Sequence, residues 1–193
     1  MKVIIISLPR TGSTTLMKAL GTVFNLETVN EPFYDKNPEA QAYPIKQKNY
    51  FIEKSHINHK PSNIDKSSFD FFCDYYKEFD NVILLGRNDL DAMTESFIQG
   101  RNTNNFHDPY SIPKGKKFEN FDKYRERAEH WMNTVEKFSQ TNNIPITWYE
   151  DLYSGEKPII NKVIKDWGLD IDLDLFYSFI DPKYKYRRES FIV

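Results

Sequence analysis

The stretch Val3–Leu20, VIIISLPRTGSTTLMKAL, constrains this chain more than any other, because it changes character twice within a short span. Val3 to Ile6 are an unbroken β-branched run without polar alternation, the pattern of a parallel strand covered on both faces. Pro9 ends the run. Gly12 permits a tight turn and close backbone approach to a ligand, and Ser13, Thr14 and Thr15 supply hydroxyls and N-cap chemistry. Leu16, Ala19 and Leu20 then begin a helical stripe. A strand that passes through a small-residue loop into a helix aims the first-turn amides at an anion. The positive end of the helix dipole lies behind them, and Arg10 adds a fixed charge beside them.

A nucleoside-triphosphate P-loop requires G-x-x-x-x-G-K-[ST]. Here Ser13 follows Gly12 where that motif has lysine, no glycine stands five residues before Gly12, and the cation precedes it as Arg10. The order Pro9-Arg10-Thr11-Gly12-Ser13-Thr14-x-Leu16 instead resembles the 5'-phosphosulfate loop of sulfotransferases that use 3'-phosphoadenosine 5'-phosphosulfate (PAPS).

The rest of the chain bounds what surrounds this loop. Its 193 residues, 39% of them hydrophobic, suit one core, so a single domain over 1–193 is expected. A net charge of −2 and a pI near 6.1 argue against a nucleic-acid partner and require any anionic ligand to be held locally. The lone cysteine, Cys73, excludes an internal disulfide and a cysteine metal cluster and fits a cytoplasmic setting. No apolar run is long enough for a membrane anchor, and the short one at the start passes straight into the Pro9–Thr15 loop.

Further strands are expected at 50–57, 81–87 and 145–149, with a short extended piece at 26–33. Helices are expected from the loop to about Asn25, after Ser67, from Asn88-Asp89 to about Gly100, from Phe121 to about Thr141, from Lys157 to Trp167 and from Leu173 to Ile180. Residues 35–48 and 102–117 read as loops, the second long enough to be a lid or binding loop. Strands alternating with helices predict an α/β fold with a central parallel sheet flanked by helices. In such a sheet ligands sit at the carboxyl ends of the strands, here Ser7, Lys54, Arg87 and Tyr149.

Two more segments carry the resemblance. Val82-Ile83-Leu84-Leu85-Gly86-Arg87-Asn88-x-x-Asp91-Ala92-x-x-x-Ser96 is similar to the family's 3'-phosphate element, an arginine ending a strand and a serine in the next helix. Ser96 stands one residue further from Arg87 than in many members, so Thr94 competes with it. Thr147-x-Tyr149-Glu150-Asp151-Leu152 is similar to a Tyr-Glu-Asp-Leu segment after a late strand, and supports the fold more than it identifies a catalytic group. Together these imply a P-loop-NTPase-like sulfotransferase fold. They also imply PAPS as donor, its product 3'-phosphoadenosine 5'-phosphate (PAP), and no metal.

Residue by residue, the resemblance implies donor contacts from Arg10, Thr11, Gly12, Ser13, Thr14 and Thr15, with Arg87 and Ser96 on the 3'-phosphate. Arg10 and Lys54 would stabilise the transferring group. Two residues compete for the base that takes the acceptor proton. Glu31, in Asn30-Glu31-Pro32-Phe33, matches the glutamate of tyrosyl-protein and bacterial carbohydrate sulfotransferases. His56, in Lys54-Ser55-His56, matches the histidine of cytosolic small-molecule enzymes. Glu31 is narrowly favoured because its flanks match better. His59, His107 and His130 have no metal-ligand spacing with one another and read as solvated or locally bonded. The basic tail from Lys183 to Arg188 reads as a solvated face or a closure over phosphates. The acceptor is a small molecule, a carbohydrate or a peptide. A kinase-like phosphoryl transferase and a noncatalytic nucleotide-binding protein are the competing functions.

Overall fold

The apolar run becomes the middle of the sheet. In the computed structural model, which describes residues 1–34, 50–103 and 120–180, the strands are β1 (Lys2–Ser7), β2 (Thr28–Asn30), β3 (Phe51–His56), β4 (Asn81–Gly86) and β5 (Ile146–Trp148). Their order is β2-β3-β1-β4-β5, and each adjacent pair is parallel. Strand side chains alternate between faces, so β1 feeds two cores. Val3 and Ile5 pack with α1 (Ser13–Val23) through Leu16 and Leu20; Ile4 and Ile6 pack on the other face.

Around the sheet lie α2 (Ser68–Tyr75), α3 (Leu90–Thr103), α4 (Phe121–Asn142), α5 (Tyr149–Leu152), α6 (Lys157–Asp166) and α7 (Leu173–Phe179). Leu152, Ile160, Ile164 and Phe176 bring α5, α6 and α7 to the α1 face, whereas Phe72, Met93 and the Trp131–Phe138 stripe bring α2, α3 and α4 to the opposite one. The α4 stripe expected from helical spacing, Ala128, Trp131, Met132, Val135 and Phe138, is the buried one. Ser67 caps α2 by accepting from the Asp70 amide at 3.0 Å, and Asp89 accepts from the Ala92 amide at 3.0 Å at the start of α3.

Several boundaries differ from expectation for local reasons. Helix α1 stops at Val23, because Asn25 turns left-handed with φ 50°. Its N-cap is Gly12 with no side-chain capping bond, so the hydroxyls of Ser13, Thr14 and Thr15 do not serve as caps. The extended piece around Val29 pairs with β3 and becomes an edge strand, so five strands are present among the described residues. β5 ends at Trp148, and Tyr149 already begins a helical turn. Helix α3 continues through Gly100 to Thr103. The loop at 35–48, most of the expected lid, His107 and the basic tail lie outside the described residues. No helix among the described residues is long and apolar enough to cross a membrane.

The strand order fixes where a ligand can sit. The connection leaving β1 heads toward β2 and that leaving β4 toward β5, so the chain diverges beyond their carboxyl ends. Arg10 and Arg87 both emerge there.

Candidate active site

The β1–α1 loop is held in shape by its own small residues. Thr11 Oγ1 donates to Leu8 O at 2.9 Å, and the Leu16 amide donates to Gly12 O at 3.1 Å. The amides of Ser13, Thr14 and Thr15 precede that bond and open toward the crevice end of α1. Gly12 has φ 72°, and a Cβ there would lie 2.5 Å from Tyr153 Cε2. Tyr153 donates its hydroxyl to Gly12 O at 2.7 Å, clamping the loop from the segment after β5. Any side chain at position 12 is therefore excluded twice, by backbone conformation and by contact.

Arg87 and Ser96 meet this loop. Arg87 Nη1 donates to Arg10 O at 2.8 Å, and Arg10 Nε donates to Ser96 Oγ at 2.7 Å. The Arg87 guanidinium lies 4.3 Å from the Tyr149 ring centroid. Its buried Nε has no hydrogen-bond partner among the described residues, the Glu150 carboxylate standing off at 4.0 Å. Glu150 spends its oxygens on the amides of Asn88 and Asp89, at 3.1 and 3.0 Å, which fixes the turn after β4. Thr94, the competitor of Ser96, donates to Leu90 O of its own helix at 2.7 Å. The register thus presents Ser96, and not Thr94, to the loop.

A second group forms one strand away. Ser7 pairs with His56 and Ile5 with Lys54, so the end of β3 stands level with the start of the loop. Lys54 is 2% exposed. Its ammonium donates to Asn30 Oδ1 at 3.2 Å and in a very short contact to Glu31 Oε1. Glu31 has φ 49° ahead of Pro32, an arrangement disfavoured for a residue preceding proline, and is pinned by its amide donating to Lys54 O at 2.7 Å. Around the same carboxylate stand His56 Nε2, 3.6 Å from Oε1, and His59 Nδ1, 3.9 Å from Oε2. His59 stacks on Tyr34 with ring centroids 5.1 Å apart.

Burial governs the charges in this group. It pulls the Lys54 ammonium below its ordinary pKa, opposed by the attraction of Glu31. It holds His56 well below the usual imidazole range, with Lys54 and His59 pushing the same way, so His56 is neutral at physiological pH. Deeper in β3, Glu53 accepts hydrogen bonds from Ser55 Oγ at 2.6 Å and Tyr75 OH at 2.7 Å. Burial pushes its pKa up to about 7 despite those bonds.

The residues expected from the sequence therefore collect in two neighbouring groups. Arg10, Thr11, Gly12, Ser13, Thr14 and Thr15 lie with Arg87 and Ser96; Glu31, Lys54 and His56 lie together on the adjoining strands. Tyr149 and Glu150, expected at a strand end as part of a fold-supporting segment, organise the first group, and Tyr153, which sequence reasoning did not single out, joins them. Sequence reasoning also missed His59, which the turn donating His59 N to His56 O at 2.9 Å folds back toward Glu31.

This strand–loop–helix start and strand order are those of a P-loop-like α/β fold. The chain belongs to the sulfotransferase domain family, whose model matches residues 1–178. No curated protein sequence matches it. Among solved structures, mouse sulfotransferase SULT7A1 complexed with PAP aligns with a TM-score of 0.58 at 13% identity, over 93% of this chain and 62% of that one. Deoxyadenosine kinase from M. mycoides with bound dATP aligns with a TM-score of 0.44 at 18% identity, over 85% of this chain and 100% of that one. The chain thus covers 62% of the length of the mouse sulfotransferase, and that likeness establishes the fold.

Proposed function

We propose that this protein transfers a sulfuryl group from PAPS to a hydroxyl or amine of a small-molecule, carbohydrate or peptide acceptor by in-line displacement. One observation carries the reading: Arg87, Arg10 and Ser96 are linked in a chain across the crevice, with the buried Arg87 Nε lacking a hydrogen-bond partner among the described residues. A buried guanidinium nitrogen without a partner suits a bound phosphate. The positive φ of Gly12, with Tyr153 packed where a Cβ would stand, supports the same reading, since it holds the turn in the shape that leads the chain from strand into helix N-terminus.

PAPS supplies an activated sulfuryl group on a good leaving group. In this reading the α1 amides and Arg10 hold its 5' end, and Arg87 with Ser96 holds the 3'-phosphate. Lys54 is placed to stabilise charge on the transferring oxygens. Glu31 is the better base. A base at His56 would have to become an imidazolium in a buried site beside the Lys54 ammonium, which the environment opposes. Glu31 carries its negative charge against that same ammonium and reaches the crevice end of β2. The lone cysteine supports a reducing, cytoplasmic setting.

Thermal stability with PAP, against ADP and ATP with and without magnesium, tests the donor assignment. At a hundredfold excess over its dissociation constant a ligand adds about 2.7 kcal/mol, a shift of roughly 5 to 10 °C for a chain this size. A shift with PAP without magnesium, cut to half or less in Arg87→Ala, is the expected result. A shift only with magnesium and ATP assigns the loop to phosphoryl transfer and overturns the proposal.

A further inference from the structure

Glu31, His56 and His59 present one donor atom each, and these atoms all lie within 4.8 Å of one another. We infer that they form a binding site for a divalent transition-metal ion of the zinc class. Two imidazoles and one carboxylate are a donor set suited to such an ion; magnesium and calcium prefer oxygen ligands throughout. The carboxylate stands near both rings, with His56 Nε2 3.6 Å from Glu31 Oε1 and His59 Nδ1 3.9 Å from its other oxygen, Oε2, against a spacing of roughly 3.4 Å between donors on a tetrahedral ion. Side-chain movement of about an ångström completes the triangle.

The surroundings hold the donors in place. The histidines are spaced i, i+3 on one turn, with ring centroids 5.2 Å apart. Tyr34 covers the outer face of His59. Lys54, bonded to Glu31 Oε1 and to Asn30, orients the carboxylate as an outer-shell partner does in established metal sites. The Lys54 ammonium also repels a second cation, so binding is weaker and more easily reversed than at a structural zinc site. Three protein ligands leave a fourth position of a tetrahedral ion open. On the sulfuryl-transfer reading, an ion bound here occupies the carboxylate that takes the acceptor proton, so metal binding and turnover exclude one another.

Zinc titration of the purified full chain by calorimetry, with cobalt(II) absorption as a second readout, tests the site directly. The expected result is one zinc per chain in the wild type, with affinity lowered at least about tenfold in both His59→Ala and Glu31→Gln. Binding should be unchanged in His130→Ala, an exposed histidine elsewhere. Cobalt should give the intense bands of a low-coordinate site in the wild type and lose them in either ligand variant. Absent zinc binding, equal affinity in wild type and His59→Ala, or a cobalt spectrum identical to that of the hydrated ion overturns the inference. If His59→Ala does not fold, Glu31→Gln carries the same comparison. Because binding is read without PAP, its failure is distinct from failure of the donor assignment.

Discussion

β3 and β4 flank the same central strand and run parallel to it, yet they are built from opposite materials. β4 buries Ile83, Leu84 and Leu85, and its Gly86 is packed so tightly that a Cβ there would lie 2.8 Å from Ile146. Arg87, the proposed phosphate ligand, comes only after the strand ends. β3 instead buries Glu53, Lys54, Ser55 and His56 at 0, 2, 1 and 8% exposure, inside the strand itself. Burying four polar groups in succession costs stability unless each finds partners, which packing alone does not require. The contrast locates two kinds of site. On the proposed reading, the donor side is backbone and arginine placed by an apolar frame, and the acceptor side is a charge cluster sustained by its own internal pairing. Backbone strain marks both. Among the described residues the non-glycine positions with positive φ are Arg10, Glu31 and three asparagines, the residue type that tolerates it best.

The largest effect should come from breaking the acceptor side alone. Glu31→Gln removes the proposed base while keeping the shape and the amide bond to Lys54 O. Turnover should fall roughly 10²- to 10⁴-fold, with PAP affinity unchanged by titration. His56→Gln should cost far less. A larger loss for His56→Gln than for Glu31→Gln would move the base to His56 and dissolve the argument from burial.

The next effect concerns stability and isolates the polar load of β3. Glu53 has its pKa raised from 4.5 to about 7. Between those values the folded state holds a proton that the unfolded state has lost, so stability falls as pH rises from about 4.5 to 7. Above pH 7 the full cost of a buried carboxylate, about 3 kcal/mol, applies. Glu53→Gln removes this dependence. The difference in unfolding free energy between wild type and variant, measured by denaturant titration, should change by about that amount between pH 8 and pH 5. Taking the difference cancels surface carboxylates such as Asp74 and Asp80, which act in the opposite direction. A pH-independent difference would mean that Glu53 stays charged in the folded chain and that β3 tolerates its polar residues without cost.

The same contrast explains what could be read from the residues alone. β1, β4 and the α4 stripe were legible because apolar periodicity reports burial directly, and the Pro9–Thr15 loop because glycine and small residues report backbone shape. β2 was seen only as an extended piece, since three residues with an exposed-buried-exposed pattern carry too little periodicity to declare pairing with β3. The end of β3 was read as a ligand-side strand terminus at Lys54, and the burial of Glu53 and Lys54 did not follow from that. Their partners come from elsewhere in sequence, Glu31 from the β2 turn and Tyr75 from α2, and only the fold brings them near. His59 was missed for the same reason. Its spacing from His107 and His130 carried no metal pattern, its spacing from His56 was not weighed, and its other neighbour is a carboxylate 28 positions earlier that only the fold brings near.

On the donor side, Arg87→Ala should weaken PAP binding by about 1.5–3 kcal/mol, the range for charge-assisted hydrogen bonds, or roughly 10- to 100-fold. It also removes the bond to Arg10 O, so part of that loss reflects a looser loop. Arg87→Lys keeps the charge but not the fork that bridges loop and ligand, and should recover less than half of the lost free energy. Full recovery would mean that charge alone matters there, which would make the two sides of the site more alike than their construction suggests.

Ser96 and Thr94 provide the smallest and sharpest discrimination. Both are buried on α3, two residues apart, and side chains at that spacing point in different directions. Thr94 spends its hydroxyl on Leu90 O, whereas Ser96 accepts from Arg10 Nε. Ser96→Ala should therefore lower PAP affinity by about 0.5–1.5 kcal/mol, roughly 2- to 10-fold. Thr94→Val, which keeps volume and loses only a bond within the helix, should leave affinity unchanged. Calorimetry on the two variants separates them. If Thr94→Val weakens PAP and Ser96→Ala does not, α3 is rotated in the bound state and Arg10 is released from Ser96 on binding. The donor side would then owe its shape to the ligand and not to the apolar frame of β4. If the effects fall as expected, a single hydroxyl links the β1 loop to α3 before any ligand arrives, and the donor side is preorganised where the acceptor side is only charge-balanced.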